Sequence, residues 1–112
     1  MTEIKYSPEA QSDLQQTKRY ITEELCSESA AVNTVKKITK KIRLLADFPE
    51  IGAPLSPIVG FDTDYRFLVC ENYLAFYRYE QNTVYIDRVI YGRRDYMKIL
   101  FGISSESDDD IG

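Results

Sequence analysis

The sequence predicts an α+β fold with the order β-α-α-β-β-β, followed by a short C-terminal helix or tail. Residues 65–95 contain three runs rich in aromatic and β-branched side chains, which strands favour, separated by two short polar breaks. Residues 7–45 carry apolar side chains at helical spacing in two successive stretches. Residues 2–6 alternate between polar and apolar side chains. We therefore expect an N-terminal strand, a helical hairpin and a three-stranded antiparallel meander.

The first helix is predicted to begin directly after the N-terminal strand. Ser7 is suited to cap the helix, Pro8 to occupy its first position, and Glu9 to lie near the positive end of the helix dipole. Apolar side chains then recur at steps of four and seven residues, at Ala10, Leu14, Ile21 and Leu25.

Ser27 can cap a second helix, because the apolar spacing resumes after it. This second stripe consists of Val32, Val35, Ile38, Ile42 and Leu45. Four lysines lie away from it, namely Lys36, Lys37, Lys40 and Lys41. The simplest interpretation of the lysines is a solvated face, and the alternative is contact with nucleic acid or a partner.

A turn-rich connector is predicted between the helices and the meander. Pro49 disfavours helical backbone at Phe48, and Gly52 begins a stretch that contains two further prolines. The connector extends to about Asp64 and is expected to be an exposed loop. In the meander, the pairs Glu71-Asn72 and Gln81-Asn82 have the length of tight hairpin turns, where asparagine tolerates positive φ.

Strand alternation predicts two faces for the meander. In its last strand, Val84, Ile86, Arg88 and Ile90 are expected to point opposite to Tyr85, Asp87, Val89 and Tyr91. One face should pack on the helices, and the other should be a tyrosine-rich surface that bears arginines. The simpler alternative for the strand arginines is a set of ion pairs with Asp64, Glu80 or Asp87. After the meander, residues 94–101 are expected to be a short helix or an extended segment.

Length and composition predict one soluble domain. The chain has 112 residues, of which 44% are hydrophobic and 29% charged, and it can bury a single core. No apolar run could cross a bilayer, and the residues after Lys5 do not resemble a signal peptide. We expect a cytoplasmic protein without membrane contact. Cys26 and Cys70 are too few for a disulfide framework and are expected to be reduced.

The charge is unevenly distributed along the chain. Four of the 18 acidic side chains lie in the last ten residues, which leaves 14 acidic side chains to balance the 14 basic ones. These four are Glu106, Asp108, Asp109 and Asp110. We predict a domain at residues 1–102 and an acidic, disordered tail at residues 103–112. A neutral domain is not typical of a general nucleic-acid binder.

The sequence contains no histidine, which excludes several kinds of chemistry. Histidine-activated nucleophiles, histidine metal sites and imidazole proton transfer are all ruled out. Any catalysis would depend on Arg, Lys, Tyr, Asp or Glu side chains. We predict no metal site and no cofactor.

Four motifs, in this order, resemble the RelE/ParE superfamily of type II toxin–antitoxin toxins. Phe48–Gly52 resembles the connector after the helices, and Tyr65–Leu68 resembles the first meander strand. Asn72–Arg78 resembles the central strand. Ile86–Asp95 resembles the last strand and its basic turn, where many members have histidine in place of Tyr91. The resemblance covers roughly residues 2–101.

The resemblance implies one of two activities. RelE-like members cleave mRNA on the ribosome, whereas ParE-like members inhibit DNA gyrase. Aligned on these motifs, the RelE-type arginine falls at Leu74, one lysine at Leu68 and the C-terminal tyrosine at Leu100. Positive charge is retained at Arg66 and Arg94, but no matched residue supplies the acid that RNA cleavage needs. The ParE-like activity is therefore favoured.

The resemblance also implies partners and site residues. The expected partners are a cognate antitoxin, in a hetero-oligomer, and DNA gyrase. The predicted target-binding residues are Arg66, Arg78, Arg88, Arg93, Arg94 and Tyr91. The first alternative is a metal-independent endoribonuclease acting on ribosome-bound mRNA through Arg94, Arg66 and Arg78, with a tyrosine such as Tyr96. The second is a degenerate, non-toxic module that only binds its antitoxin.

Overall fold

The computed structural model describes residues 2–103 and confirms the predicted α+β class. The elements are β1 (Glu3–Tyr6), α1 (Pro8–Leu25), α2 (Glu28–Arg43), a 3₁₀ turn (Leu44–Ala46), β2 (Ala53–Pro54), α3 (Ser56–Val59), β3 (Arg66–Cys70), β4 (Tyr73–Glu80), β5 (Thr83–Tyr91) and α4 (Tyr96–Phe101). Apart from Ile103, the predicted acidic tail lies outside the described residues. Within residues 2–103, no helix combines the length and apolarity that a bilayer span requires.

The strands form one five-stranded sheet in the order β1-β5-β4-β3-β2. The meander of β3, β4 and β5 is antiparallel, as predicted, and β2 extends it at one edge. At the other edge β1 runs parallel to β5, with Glu3 opposite Thr83. Both predicted hairpin turns are present, although the positive φ of the first lies at Glu71 rather than at Asn72.

Serine caps begin both long helices, as predicted. The Ser7 hydroxyl accepts a hydrogen bond from the Ala10 amide at 2.9 Å, and the Ser27 hydroxyl accepts one from the Ala30 amide at 3.1 Å. The apolar stripe predicted for α1 is only partly confirmed. Leu25 is 64% exposed, whereas the polar Asp13 is almost completely buried because β5 supplies its partners.

The first core lies between the helices and one face of the sheet. Ala10, Ile38, Ile42 and Leu45 from the helical side pack against strand residues that include Leu68, Ala75, Tyr77, Val84, Ile86 and Val89. The lysines of α2 are exposed, as the amphipathic pattern predicts. The helical hairpin therefore covers one whole side of the meander.

The second face of the sheet is covered around Phe76 and Ile90, so the predicted free tyrosine- and arginine-rich surface is correct only in part. The connector is not simply an exposed loop, because it contains β2 and α3 and buries Leu55. Leu55 packs with Phe76 and Ile90 in a second core. The connector and α4 add partly buried side chains to this core, among them Val59, Tyr96, Ile99, Leu100 and Phe101.

A bulge in β5 changes the predicted faces of the last strand. Phe76 lies opposite Arg88, but the next residue, Tyr77, lies opposite Ile86, so Asp87 is an additional residue on β5. After this point the alternation is shifted by one residue. Val89 therefore joins Val84 and Ile86 in the first core, whereas Ile90 packs in the second.

The two cysteines are free thiols, as predicted. Cys26 is exposed in the tight link between α1 and α2, where its φ is 51°. Cys70 is buried, and burial raises the pKa of its thiol to about 11. A thiol with this pKa is a poor nucleophile at neutral pH, so only Cys26 is available to thiol reagents.

Candidate target-binding site

The six residues predicted to bind a target fall into two groups. Three make contacts inside the protein, namely Arg66, Arg78 and Arg88. Three are exposed where β5 ends, namely Tyr91, Arg93 and Arg94. The structure therefore does not bring all six together on one surface.

Arg78 belongs to a network on the second face of the sheet. Its Nε donates to Oδ2 of Asp87 at 2.9 Å, and the hydroxyl of Tyr65 donates to the same oxygen at 2.9 Å. Nη1 of Arg78 also lies 4.0 Å from Glu80, and its guanidinium stacks 5.0 Å above the ring of Tyr85. Arg78 therefore forms the ion pairs that the alternative interpretation predicted. Its hydrogen bond to Asp87 raises the pKa of the guanidinium above the usual value.

We expect the phenol of Tyr65 to stay protonated to unusually high pH. Burial, followed by the hydrogen bond to Asp87, raises its pKa to about 12. An unfolded tyrosine ionises near pH 10, so the stabilisation from this phenol is complete below about pH 10 and disappears as the pH rises towards 12. In rapid pH jumps, part of the phenolate absorbance should appear only as the pH approaches 12. Tyr65→Phe should reduce this high-pH part of the absorbance. If the high-pH part were unchanged in the variant, the assignment to Tyr65 would be contradicted.

Arg88 forms the most buried ion pair among the described residues. Its Nε and Nη2 donate to the two carboxylate oxygens of Asp13, each at 2.8 Å. The amide of Val89 donates to Oδ2 of Asp13 at 2.9 Å. Asp13 is 8% exposed and Arg88 is 26% exposed, so this bidentate pair joins α1 to β5 in a largely buried site. The contact was not predicted, because Asp13 was not singled out on the first helix.

Arg66 contacts the connector through backbone carbonyls rather than through an ion pair. Its Nε donates to the carbonyl of Gly52 at 3.1 Å, and its Nη2 donates to that of Glu50 at 3.2 Å. Within residues 2–103 it forms no ion pair with Asp64 or Glu80. These bonds fasten the Phe48–Gly52 motif to β3.

The basic turn, defined here as residues 92–95, presents the two exposed arginines. The amide of Gly92 donates to the carbonyl of Asn72 at 2.9 Å, and the amide of Arg94 donates to the carbonyl of Tyr91 at 2.9 Å. The turn is thus anchored to the first hairpin by its backbone. Neither Arg93 nor Arg94 forms an ion pair with a carboxylate in the described part of the chain. Both guanidinium groups remain available to a partner.

A cleft of about 370 Å³ lies beside the basic turn, between α1 and the sheet. It is lined by Asp13, Gln16, Thr17 and Tyr20 from α1, by Tyr73, Val89 and Tyr91 from the sheet, and by Arg94. The rings of Tyr73 and Tyr91 meet edge to face with centroids 5.5 Å apart. Burial is the main cause that raises the pKa of Tyr73. The cleft joins two of the predicted residues, Tyr91 and Arg94, to side chains of the first helix.

The helical side of this cleft was missed at the sequence level. Its residues are Asp13, Gln16, Thr17 and Tyr20, whose spacing of three, one and three places them on one face of α1. The sequence therefore contains a polar and aromatic stripe on α1 beside the apolar one. That this stripe lines a cleft follows only from the position of β5, which local spacing does not reveal.

The chemistry of the cleft is suited to binding. It offers phenols, one exposed guanidinium and the amide of Gln16, whereas the carboxylate of Asp13 is neutralised by Arg88. Within residues 2–103, no group of three metal-binding side chains occurs. These groups can form hydrogen bonds, ion pairs and ring contacts with a partner.

Three of the positions aligned with RelE-type catalytic residues carry leucines that pack against the two cores. Leu68 is buried in the first core, and Leu74 and Leu100 pack against the second. Tyr96, the tyrosine named for the nuclease alternative, packs its ring 5.3 Å from that of Phe76. None of these side chains lines the cleft beside the basic turn.

Comparisons with known proteins agree with the fold and the motif order. The family model described as the ParE toxin of the type II toxin–antitoxin system parDE matches residues 4–96. A solved structure titled as the chromosomal ParDE toxin–antitoxin system from P. aeruginosa is similar, with a TM-score of 0.69 and 20% identity. The match covers 81% of this chain and 96% of that one. No curated protein sequence matches significantly. The chain belongs to the ParE toxin family of type II toxin–antitoxin systems.

Proposed function

We propose that this toxin arrests growth by inhibiting DNA gyrase through protein–protein contact. The main support is that leucines occupy three positions where RelE-type nucleases carry catalytic groups. Leu68 is buried, and Leu74 and Leu100 are half-buried against the second core. A leucine can neither transfer a proton nor stabilise a phosphorane. The exposed basic turn instead offers arginine and tyrosine, which are enriched among residues that dominate protein interfaces.

The arginines are proposed to have different roles. Arg93, Arg94 and Tyr91 would contact the target directly, because their side chains are exposed and the two guanidinium groups are unpaired within the described residues. Arg66, Arg78 and Arg88 would maintain the shape of the sheet through their internal contacts. Replacing the second group should therefore affect stability before it affects target affinity.

We expect the double variant Arg93→Ala/Arg94→Ala to inhibit gyrase at least about 10-fold less well than the wild type. Two exposed arginines lost from an interface remove on the order of 2 kcal/mol, which corresponds to roughly 30-fold in affinity. The variant should fold normally, because neither side chain packs in a core. The measurements are gyrase supercoiling and cleavage–religation with purified protein.

The matched control is Lys36→Ala/Lys37→Ala, which removes the same charge from exposed positions on α2. This control should retain full inhibition if the basic turn is the target-binding surface. An equal loss in both variants would mean that only net charge matters. Unchanged gyrase activity at a large excess of wild-type toxin would reject the gyrase target.

The two alternatives are tested by inducing the toxin in cells. Primer extension on translated mRNA should reveal no toxin-dependent cuts, and such cuts would identify the RelE-type endoribonuclease instead. Induction without antitoxin should arrest growth, and normal growth would indicate a non-toxic antitoxin-binding module.

We further propose that a cognate antitoxin neutralises the toxin in a hetero-oligomer. One of its segments would cover apolar residues on the helical hairpin, where Tyr20 is 62% and Leu25 64% exposed, or pair with an open sheet edge. If a small protein is encoded beside this gene, its co-expression should relieve growth arrest, and the two proteins should purify together. Persistent arrest with no co-purification would exclude that protein as the antitoxin.

A further inference from the structure

Helix α2 carries a dense cluster of positive charge on its outer side. Five exposed cations fall within eight residues, namely Lys36, Lys37, Lys40, Lys41 and Arg43. None of them forms an ion pair with a carboxylate among the residues that the structure describes. Residues 29–46 contain neither aspartate nor glutamate. The equal numbers of acidic and basic side chains in residues 1–102 therefore do not reflect the strongly basic outer side of α2.

Acidic side chains at the edges of this cluster offset only part of its charge. Burial is the main cause that raises the pKa of the Cys70 thiol, while the charge of Lys41 lowers it and that of Glu71 raises it. Lys41 and Glu71 therefore lie near the same thiol, and each partly neutralises the other. Asp47 follows the helix, and Glu28 lies at its opposite end, about 12 Å along the axis from the first of the cations. Even if Glu71 and Asp47 each cancel one cation, three of the five remain uncompensated.

The first helix borders the cluster with neutral and basic groups. A groove of about 480 Å³ between the two helices and β1 is lined by side chains that include Gln11, Thr39 and Arg43. Gln15 and Lys18 lie four and seven residues after Gln11, so helical spacing places them on the same side of α1. The buried carboxylate of α1 is directed to β5 instead. The border with α1 therefore adds two amides and one further cation to the edge of the cluster.

The cluster lacks the apolar and aromatic groups through which a protein or a membrane would bind. Within the described chain, the large hydrophobic side chains that are exposed all lie outside α2. Ile38 and Ile42, which belong to its apolar side, are fully buried in the first core. The centres of protein interfaces are depleted of lysine, and a helix that binds a membrane surface needs a free apolar face. Neither kind of partner therefore matches this surface.

Nucleic acid is the polyanion whose chemistry matches the cluster. Proteins hold nucleic-acid phosphates with lysine, arginine and polar side chains, all of which are present here. Binding of single strands also uses aromatic side chains for stacking, and α2 contains none. Lys36 and Arg43 are about 10 Å apart along the helix axis, and duplex DNA carries one charge per roughly 1.7 Å of its own axis. The cluster can therefore face several phosphates of one duplex.

We propose that Lys36, Lys37, Lys40 and Arg43, named here the basic face of α2, bind the phosphate backbone of a nucleic-acid duplex. The contact is independent of base sequence, because it is made to phosphates and not to base edges. It uses neither the basic turn nor the cleft, and it does not depend on the proposed inhibition of gyrase. Because binding releases counterions from the duplex, it weakens steeply as the salt concentration increases.

Fluorescence anisotropy of a short labelled DNA duplex, titrated with the purified full-length protein, tests the contact. At about 0.05 M salt, the dissociation constant should be on the order of 10⁻⁵ M. The logarithm of the association constant should fall linearly with the logarithm of the salt concentration, with a slope of about −3. A second duplex of unrelated sequence should bind equally well. Absence of binding at about 0.02 M salt, where phosphate contacts are strongest, would overturn the proposal.

The triple variant Lys36→Gln/Lys37→Gln/Lys40→Gln should bind the duplex at least about 10-fold more weakly at the same salt concentration. Each lost phosphate contact also reduces the slope by about one, so the dependence on salt should nearly disappear. Glutamine is a good helix former, and the three positions are exposed, so α2 should fold normally. Circular dichroism of the variant measures its helix content.

The matched control Lys5→Gln/Arg93→Gln/Lys98→Gln removes the same charge from exposed residues elsewhere. Lys5 alternates on β1 with Ile4 and Tyr6, which pack against the first core, so its side chain points away from α2. Arg93 lies in the basic turn, and Lys98 lies in α4, which packs on the second face of the sheet. The control should retain the wild-type affinity and slope. An equal loss in both variants would overturn the proposal, because only net charge would then matter.

The binding surface can also be mapped on the wild-type protein, without any variant. When the duplex is added, the largest amide chemical-shift changes in nuclear magnetic resonance spectra should fall at residues 36–43. Changes centred on the basic turn would overturn the proposal. Vesicles of anionic phosphatidylglycerol should bind residues 36–43 more weakly than the duplex does. Equal or tighter binding of the vesicles would overturn the proposal in favour of a membrane surface.

Discussion

Replacing Asp13 with alanine is expected to lower the free energy of unfolding by about 3 kcal/mol or more. The substitution leaves the guanidinium of Arg88 and the amide of Val89 without their acceptor in a site where Asp13 is almost fully buried. Removing one member of a buried ion pair typically costs about 3–5 kcal/mol, because the other charge remains desolvated. Arg88 is 26% exposed, which places the expected cost at the lower end of this range. Urea denaturation followed by circular dichroism measures the change.

Two further variants distinguish the loss of the ion pair from the general effect of a substitution on α1. Glu24→Ala removes an exposed acid from the other end of the same helix and should cost less than about 0.5 kcal/mol. The double variant Asp13→Leu/Arg88→Met removes both charges and should recover a large part of the loss. If Asp13→Ala were no more costly than Glu24→Ala, the pair would contribute nothing measurable to the attachment of α1.

The second large effect is expected for Gly52→Ala, at about 3 kcal/mol of destabilisation. An added Cβ would lie 2.6 Å from the hydroxyl oxygen of Tyr77 and 2.7 Å from the backbone carbonyl oxygen of Phe67. Overpacking at this level forces the backbone to shift and typically costs about 1–3 kcal/mol. For a domain of this size, the thermal midpoint should fall by about 10 °C or more, which a calorimetric scan would detect.

The hydroxyl of Tyr77 accounts for much of the constraint at Gly52. It accepts a hydrogen bond from the Gly52 amide at 3.0 Å and donates one to the carbonyl of Pro49 at 2.8 Å. Tyr77→Phe should therefore cost about 1–3 kcal/mol, because the buried amide of Gly52 and the partly buried carbonyl of Pro49 lose their partner. The double variant Gly52→Ala/Tyr77→Phe should cost less than the sum of the single variants, since the closest clash has gone.

The matched control is Gly60→Ala, which makes the same substitution where a Cβ would meet nothing within 4 Å. Its φ of +83° still disfavours alanine, so a cost of about 1 kcal/mol is expected from the backbone alone. If Gly52→Ala were no more destabilising than Gly60→Ala, close packing would not be the reason for glycine at position 52.

Local signals in the sequence were sufficient for the elements themselves. Ser7 and Ser27 accept the capping hydrogen bonds that their positions predicted. The two polar pairs in the meander form the predicted hairpin turns. Capping and tight turns depend on side chains within a few residues of each other, and so they can be recognised without knowledge of the fold.

Pairings between distant segments could not be predicted in this way. The contact of Asp13 with Arg88 requires α1 to lie against β5, and the bulge at Asp87 reverses the alternation beyond it. The covered second face depends on how the connector and α4 fold back on the sheet. As a result, the ion-pair alternative included the partner of Arg78, which is Asp87, but it missed Asp13 as the partner of Arg88.

The candidate site was predictable only in part. Tyr91 and Arg94 lie in the basic turn that the motif resemblance indicated, and the cleft brings them together. Tyr20 and Tyr73, which complete the cleft, come from an earlier helix and from the neighbouring strand. Their proximity is a consequence of topology, which no local pattern in the sequence encodes.

The parallel pairing of β1 with β5 also constrains when the protein can fold during synthesis. The first strand of the sheet hydrogen-bonds to β5, with Glu3 opposite Thr83, so the sheet can close only after β5 has been made. A ribosome adds on the order of 5–20 residues per second, so β5 is made several seconds after β1 and α1. Chains that terminate before β5 lack Val89 and Tyr91 and cannot assemble the cleft. The pairing therefore limits the complete surface to chains that extend beyond β5.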